Sequence, residues 1–92
     1  KEFVQQTGGY LMKLKKQTLT VSIETEYAKS VISKVKNMMW SKFEINPNVV
    51  NFSFDDAPVQ EVCFYYVATD EVDKMLRGKI AFGFGEVLAV GA

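Results

Sequence analysis

Between Thr18 and Phe43 the apolar residues change their spacing once, and that change constrains the fold of this 92-residue chain more than any other feature. From Thr18 to Glu24, Leu19, Val21 and Ile23 alternate with Thr18, Thr20 and Ser22. This two-residue period belongs to a strand buried on one face. From about Glu26 to Phe43 the apolar positions are Tyr27, Ala28, Val31, Ile32, Val35, Met38, Met39 and Phe43. These form one stripe of an α-helix. Thr25 stands at the junction as a helix N-cap, with Glu26 at the positive end of the dipole. Asn46-Pro47-Asn48 closes the helix, because Pro47 has no N–H to donate and restricts the residue before it.

The rest of the chain reads as a second round of the same elements. Val49 to Phe54 is a strand with Val50, Phe52 and Phe54 on one face, followed by a turn at Asp55-Asp56-Ala57-Pro58. Glu61 to Ala68 is rich in aromatic and β-branched residues and pairs with the preceding strand as an antiparallel hairpin. Asp70 caps a short helix whose buried side is Val72, Met75 and Leu76, with Lys74 and Arg77 near its end and Gly78 as a left-handed stop. From Lys79 to about Val90, Ile80, Phe82 and Phe84 alternate with Ala81, Gly83 and Gly85, which predicts a last strand.

The order β-α-β-β-α-β is the split βαβ pattern. The expected fold class is therefore α+β, a ferredoxin-like sandwich of a four-stranded antiparallel sheet with one long and one short helix on one face. Residues 17–92 form the single domain. Residues 1–16 are read as a leader or as an extra strand around Tyr10–Leu14, after the break at Gly8-Gly9. Met12, followed by Lys-Leu-Lys-Lys, reads as a candidate start, which would make residues 1–11 an added leader.

Composition removes several chemistries. There is no histidine, so no Ser-His-Asp triad, Cys-His pair or imidazole acid–base catalyst can be built. The single cysteine, Cys63, cannot form an internal disulfide or assemble a structural zinc site. It reads as a small buried residue of a strand in a reducing compartment, the cytoplasm. Gly83-Phe84-Gly85 lacks the third glycine of a dinucleotide fingerprint. Asp55-Asp56 and Asp70-Glu71-Asp73 are accounted for by turn and capping chemistry. No metal, cofactor or catalytic residue is expected. Eleven basic and eleven acidic side chains cancel, which argues against a protein built around nucleic acid or an anionic membrane. No apolar run approaches the roughly 20 residues that cross a bilayer.

What remains is surface. On a helical wheel Trp40, the only tryptophan, lies about 140° from the stripe centre at Val35. It shares that side with Lys29, Ser33 and Lys36, as a contact anchor for a protein partner or a second copy would. If Val62, Phe64 and Tyr66 face the helices, then Cys63, Tyr65 and Val67 join Thr18, Thr20, Ser22, Asn51, Ser53, Ala81, Gly83 and Gly85 on a free sheet face. Val87-Leu88-Ala89-Val90 offers an apolar end that extends the last strand or pairs with a neighbour's edge. The expected function is a non-enzymatic binding module that self-associates or regulates a larger protein, using Trp40, Lys36, Lys29, Tyr65, Val87 and Leu88. The alternative is a nucleic-acid-binding module using Lys13, Lys15, Lys16, Lys29, Lys36 and Trp40. An RNA-recognition layout is not supported, since Thr20 stands where a stacking aromatic belongs. A small-ligand or metal sensor is the third reading.

Overall fold

A computed structural model describes residues 14–91. Strand β1 (Lys15–Glu24) runs through a 3-10 turn (Thr25–Tyr27) into helix α1 (Ala28–Phe43). Strands β2 (Asn48–Asn51) and β3 (Val59–Ala68) form a hairpin, helix α2 (Asp70–Gly83) follows, and β4 (Val87–Gly91) ends the described chain. The sheet order is β2-β3-β1-β4 and every pairing is antiparallel. Each helix thus crosses over one intervening strand, the ferredoxin-like α+β layout expected from the element order. The extra strand around Tyr10–Leu14 falls almost wholly outside the described residues.

One face of the sheet carries the core. Leu19, Val21 and Ile23 of β1 stand in register with Phe64, Val62 and Gln60 of β3. Val31, Val35 and Met39 of α1 and Leu76 and Ile80 of α2 pack on them, so both helices cover the same face. The burial of these side chains is the main force holding the two layers together.

Several local expectations are corrected. Thr25 does not cap α1; its hydroxyl donates to the Ala57 carbonyl and accepts from Gln60 Nε2 at 3.0 Å. Gln60 also donates to the Phe54 carbonyl at 3.0 Å and accepts from Asn51 Nδ2 at 2.9 Å. This fully bonded buried amide pins the hairpin against the start of α1. It also sets β2 one residue off the expected phase. Val49 opposes Phe64 and faces the core, Val50 opposes Cys63 on the free face, and Asn51 opposes Val62 on the helix side, where it stays exposed.

Helix α1 stops at Phe43, ahead of Asn46-Pro47-Asn48. Glu44 adopts left-handed geometry (φ 57°), donating to the Trp40 carbonyl, and Ile45 N–H reaches the Met39 carbonyl, both at 2.9 Å. These two bonds satisfy the orphan carbonyls of the last turn.

Helix α2 is capped by Thr69, whose hydroxyl accepts from Val72 N–H at 3.1 Å, and not by Asp70. It runs straight through Gly78 to Gly83, so residues 79–83 are helical and β4 is only five residues long. Met75 is exposed, and Ile80 takes its place on the buried side with Leu76. Ala81 and Gly83 are therefore on a helix, and Gly85 in a turn, not on the sheet face. Lys15 and Lys16 belong to β1 and not to the leader.

Candidate functional site

Three exposed surfaces emerge from this layout. The first is the outer flank of α1. Lys29, Ser33, Lys36 and Trp40 are all exposed there, and Trp40 keeps 61% of its surface open. Lys29, Ile32, Ser33, Lys36 and Asn37 line a shallow, open depression on the same helix. The helix orients this side by burying the opposite stripe of Val31, Val35 and Met39.

The second is the face of the sheet that neither described helix covers. The register places Lys16, Thr18, Thr20 and Ser22 of β1 beside Val67, Tyr65, Cys63 and Glu61 of β3. Asn48 and Val50 of β2 and Ala89 and Gly91 of β4 complete it on either side. Phe52, one residue past β2, donates its N–H to the Glu61 carbonyl at 3.0 Å and continues the alternation onto this face. Val50, Phe52, Tyr65 and Val67 are all exposed. Thr20 Oγ1 and Cys63 Sγ lie 3.3 Å apart, and Ser22 Oγ donates to Glu61 Oε2 at 2.9 Å. The hydrogen bond with Cys63, with burial adding to it, pushes the Tyr65 phenol above its ordinary value of 10.0. The phenol thus stays protonated at neutral pH, and the centre of the face carries no charge.

The third surface lies where the two helices meet. Met38, Phe82 and Phe84 line an open groove together with Lys42 and Lys79. Phe82 is 93% exposed. On the far side of the sheet hairpin, Phe54 is 82% exposed and Phe52 62% exposed.

The residues singled out from the sequence do not gather at one place. Lys29, Lys36 and Trp40 lie together on α1. Tyr65 lies on the free sheet face, behind the other layer. Val87 is half-buried against the core, whereas Leu88 sits in the bulge of β4 opposite Ser22 and Ile23 and is exposed. Lys15 donates to Asp70 Oδ2 at 2.8 Å, and Gln17 supports the same carboxylate at 3.2 Å. These partners hold the Asp70 carboxyl below its ordinary value of 3.8, the Lys15 hydrogen bond acting most. Lys16 projects on the sheet face, and Lys13 lies outside the described residues. The lysines of the nucleic-acid reading are thus divided between the two layers.

Sequence reasoning missed the exposure of Phe82, Met75, Phe52 and Phe54. Met75 and Phe82 are seven residues apart, which is two turns of one helix, and that spacing was the available signal. Asp73 and Arg77 stand one helical turn apart in the sequence, but nothing there signals that Tyr66 joins them in a polar clamp. Tyr66 Oη donates to Asp73 Oδ1 at 2.5 Å, and Arg77 Nε donates to Asp73 Oδ2 at 2.8 Å. Arg77 further donates to the Thr18 carbonyl at 2.6 Å and the Gly91 carbonyl at 2.9 Å. The clamp joins α2 to three strands and is structural in character.

Among the described residues no cluster of three or more His, Cys, Asp or Glu side chains could hold a metal ion, and no helix is long and apolar enough to cross a membrane. No family model, curated protein or solved structure matches the chain.

Proposed function

We propose that the protein is a non-catalytic binding module that works through protein contacts, associating with itself or docking on a larger protein to regulate it. One observation carries the reading: Phe82, Phe54, Phe52 and Trp40 present large aromatic surfaces to solvent on a chain of this size. Such side chains are the ones that supply contact energy once a partner removes them from water. The absence of charge at the centre of the sheet face adds to it, since interface centres are depleted in charged residues.

The test is the absolute mass in solution, by light scattering after size exclusion at two salt concentrations, for the parent chain and for Trp40→Ala and Tyr65→Ala. Weakened association in either variant supports the reading. Association that both substitutions leave unchanged ends it. The cluster of Lys29, Lys36 and Trp40 makes a nucleic-acid contact the second reading, and it predicts binding to a single-stranded oligonucleotide that weakens steeply with salt. No binding at low salt removes that one.

A further inference from the structure

Resting on the protein-contact reading, we infer that the occupant of the free sheet face is a second copy of this chain, stacked face to face about a two-fold axis that lies across the strands. The charges of this face are segregated along the strands. Along β1 and β3 this face reads Lys16 and Val67 at one end, then Thr18 and Tyr65, then Thr20 and Cys63, then Ser22 and Glu61 at the other. Glu24 lies one further step beyond Glu61's end, opposite Val59. The face therefore has a cationic end, an uncharged middle and an anionic end.

Two in-plane two-fold axes can stack such a face on itself. An axis parallel to the strands sets like ends together, Lys16 on Lys16 and Glu61 on Glu61. An axis across the strands sets Lys16 over the anionic end of the other copy, and symmetry repeats the contact. Only the second pairs unlike charges, and it keeps the strands of the two sheets aligned, as stacked sheets prefer. The middle then joins Tyr65 to the neighbourhood of Cys63 in the other copy, while Val50, Phe52 and Val67 lose water.

The contact is small. Two ten-residue strands and two short ones give a footprint of roughly 500 Å² per copy, below the ~800 Å² per partner of a standard interface. A dimer of this size is weak enough for two ion pairs to govern it visibly.

The same geometry provides a specific test. Within one chain Lys16 and Glu61 are separated by six residues of extended strand, roughly 20 Å, beyond the ~10 Å over which exposed charges interact in 0.1 M salt. A charge swap between them can therefore rescue association only across an interface. Dissociation constants would be measured by sedimentation equilibrium at low salt for the parent, Lys16→Glu, Glu61→Lys and the double variant, with circular dichroism to verify folding. Each single variant turns two attractions into two repulsions and is expected to weaken the dimer by roughly tenfold. The double variant is expected to recover to within about threefold of the parent.

Tyr65→Arg, which places a charge in the middle of an outward-facing surface, is expected to abolish the dimer without unfolding the chain. A parent that stays monomeric at millimolar concentration overturns the inference. So do single variants that associate like the parent, or a double variant no better than the singles. If the charge variants behave in either of these ways while Trp40→Ala weakens association, the contact lies on the helix layer: the face-to-face dimer falls and the protein-contact reading stands.

Discussion

The removal of Arg77 should destabilise the fold more than any other single change to a charged side chain among those described. Its guanidinium makes three bonds, and they differ in worth. Those to the Thr18 and Gly91 carbonyls lie at an exposed rim, where water takes over when the arginine leaves. The bond to Asp73 is different, because the two side chains are only 25% and 13% exposed. Removing Arg77 leaves the Asp73 carboxylate shielded, with Tyr66 as its remaining partner. A fully buried pair broken on one side costs about 3–5 kcal/mol. The residual exposure here reduces that, and Arg77→Met, which keeps much of the aliphatic stem, should cost about 2–3 kcal/mol. For a chain of this size that corresponds to a Tm lower by roughly 10–20 °C.

Urea unfolding followed by far-ultraviolet circular dichroism is the suitable assay. Trp40 fluorescence is a poor probe, since its ring is already in water. Arg77 and Asp73 should also be coupled in stability. In an Asp73→Asn background the carboxylate is gone, so Arg77→Met should cost at least about 1 kcal/mol less than in the parent. Arg77→Lys should not restore stability, because one ammonium cannot reach Asp73 and two carbonyls in a fixed fan. A loss below about 0.5 kcal/mol, or costs that simply add in the double variant, would refute the clamp as a stabilising unit.

Three further outcomes follow from the same geometry. Burial, and then the bond to Asp73, raise the Tyr66 phenol above its ordinary value of 10.0, so the native state holds that proton more tightly than the unfolded chain. Stability should fall as pH rises above about 10, and Tyr66→Phe should give a shallower alkaline decline while costing about 1 kcal/mol at neutral pH. A Cβ at Gly78 meets nothing within 4 Å, so Gly78→Ala should raise the urea midpoint by the equivalent of about 1 kcal/mol; a lowered midpoint would favour the left-handed stop over a continuous α2. Phe82→Ser should leave stability within about 0.5 kcal/mol of the parent, because the ring touches little of its own chain; a larger loss in the same urea assay would mean that the ring is held.

The element order was legible because each long element shows an unmixed period. From Thr18 to Glu24 β1 alternates without exception, and the α1 stripe persists for four turns. α2 was misjudged where the two periods coincide. Ile80 and Phe84 are four apart, a spacing that both a helix and a strand allow, and Phe82 between them completed a false alternation. The helical evidence was present in Val72, Leu76 and Ile80, and in the Asp73–Arg77 ion pair one turn apart. Gly78 outweighed it, although glycine inside a helix is merely unfavourable and not forbidden. Strand β2 ends at Asn51, so of Val50, Phe52 and Phe54 only Val50 lies in it, and the direction of its side chain is set elsewhere. Gln60 must face inward to reach Thr25 and the Phe54 carbonyl, and its neighbour Asn51 must follow. Three aromatic or aliphatic side chains are left outside as a result. Long-range polar anchors of this kind leave no local pattern in a sequence.

The two-layer fold also separates the surfaces in a way that bears on how they would be used. Val62, Phe64 and Tyr66 point to the helices while Cys63, Tyr65 and Val67 point away, so the thickness of a sheet lies between Tyr65 and Trp40. A dimer stacked through its sheets buries neither Trp40, Lys29 and Lys36 nor the groove of Met38, Phe82 and Phe84. It places a copy of each on both outer sides of the assembly. A partner that grips α1 would then meet two equivalent sites, and linked binding gains from the second contact without any new chemistry. Self-association and partner docking are therefore compatible on this scaffold. Substitutions on one layer should leave contacts made through the other intact, because the core residues between them are common to both states.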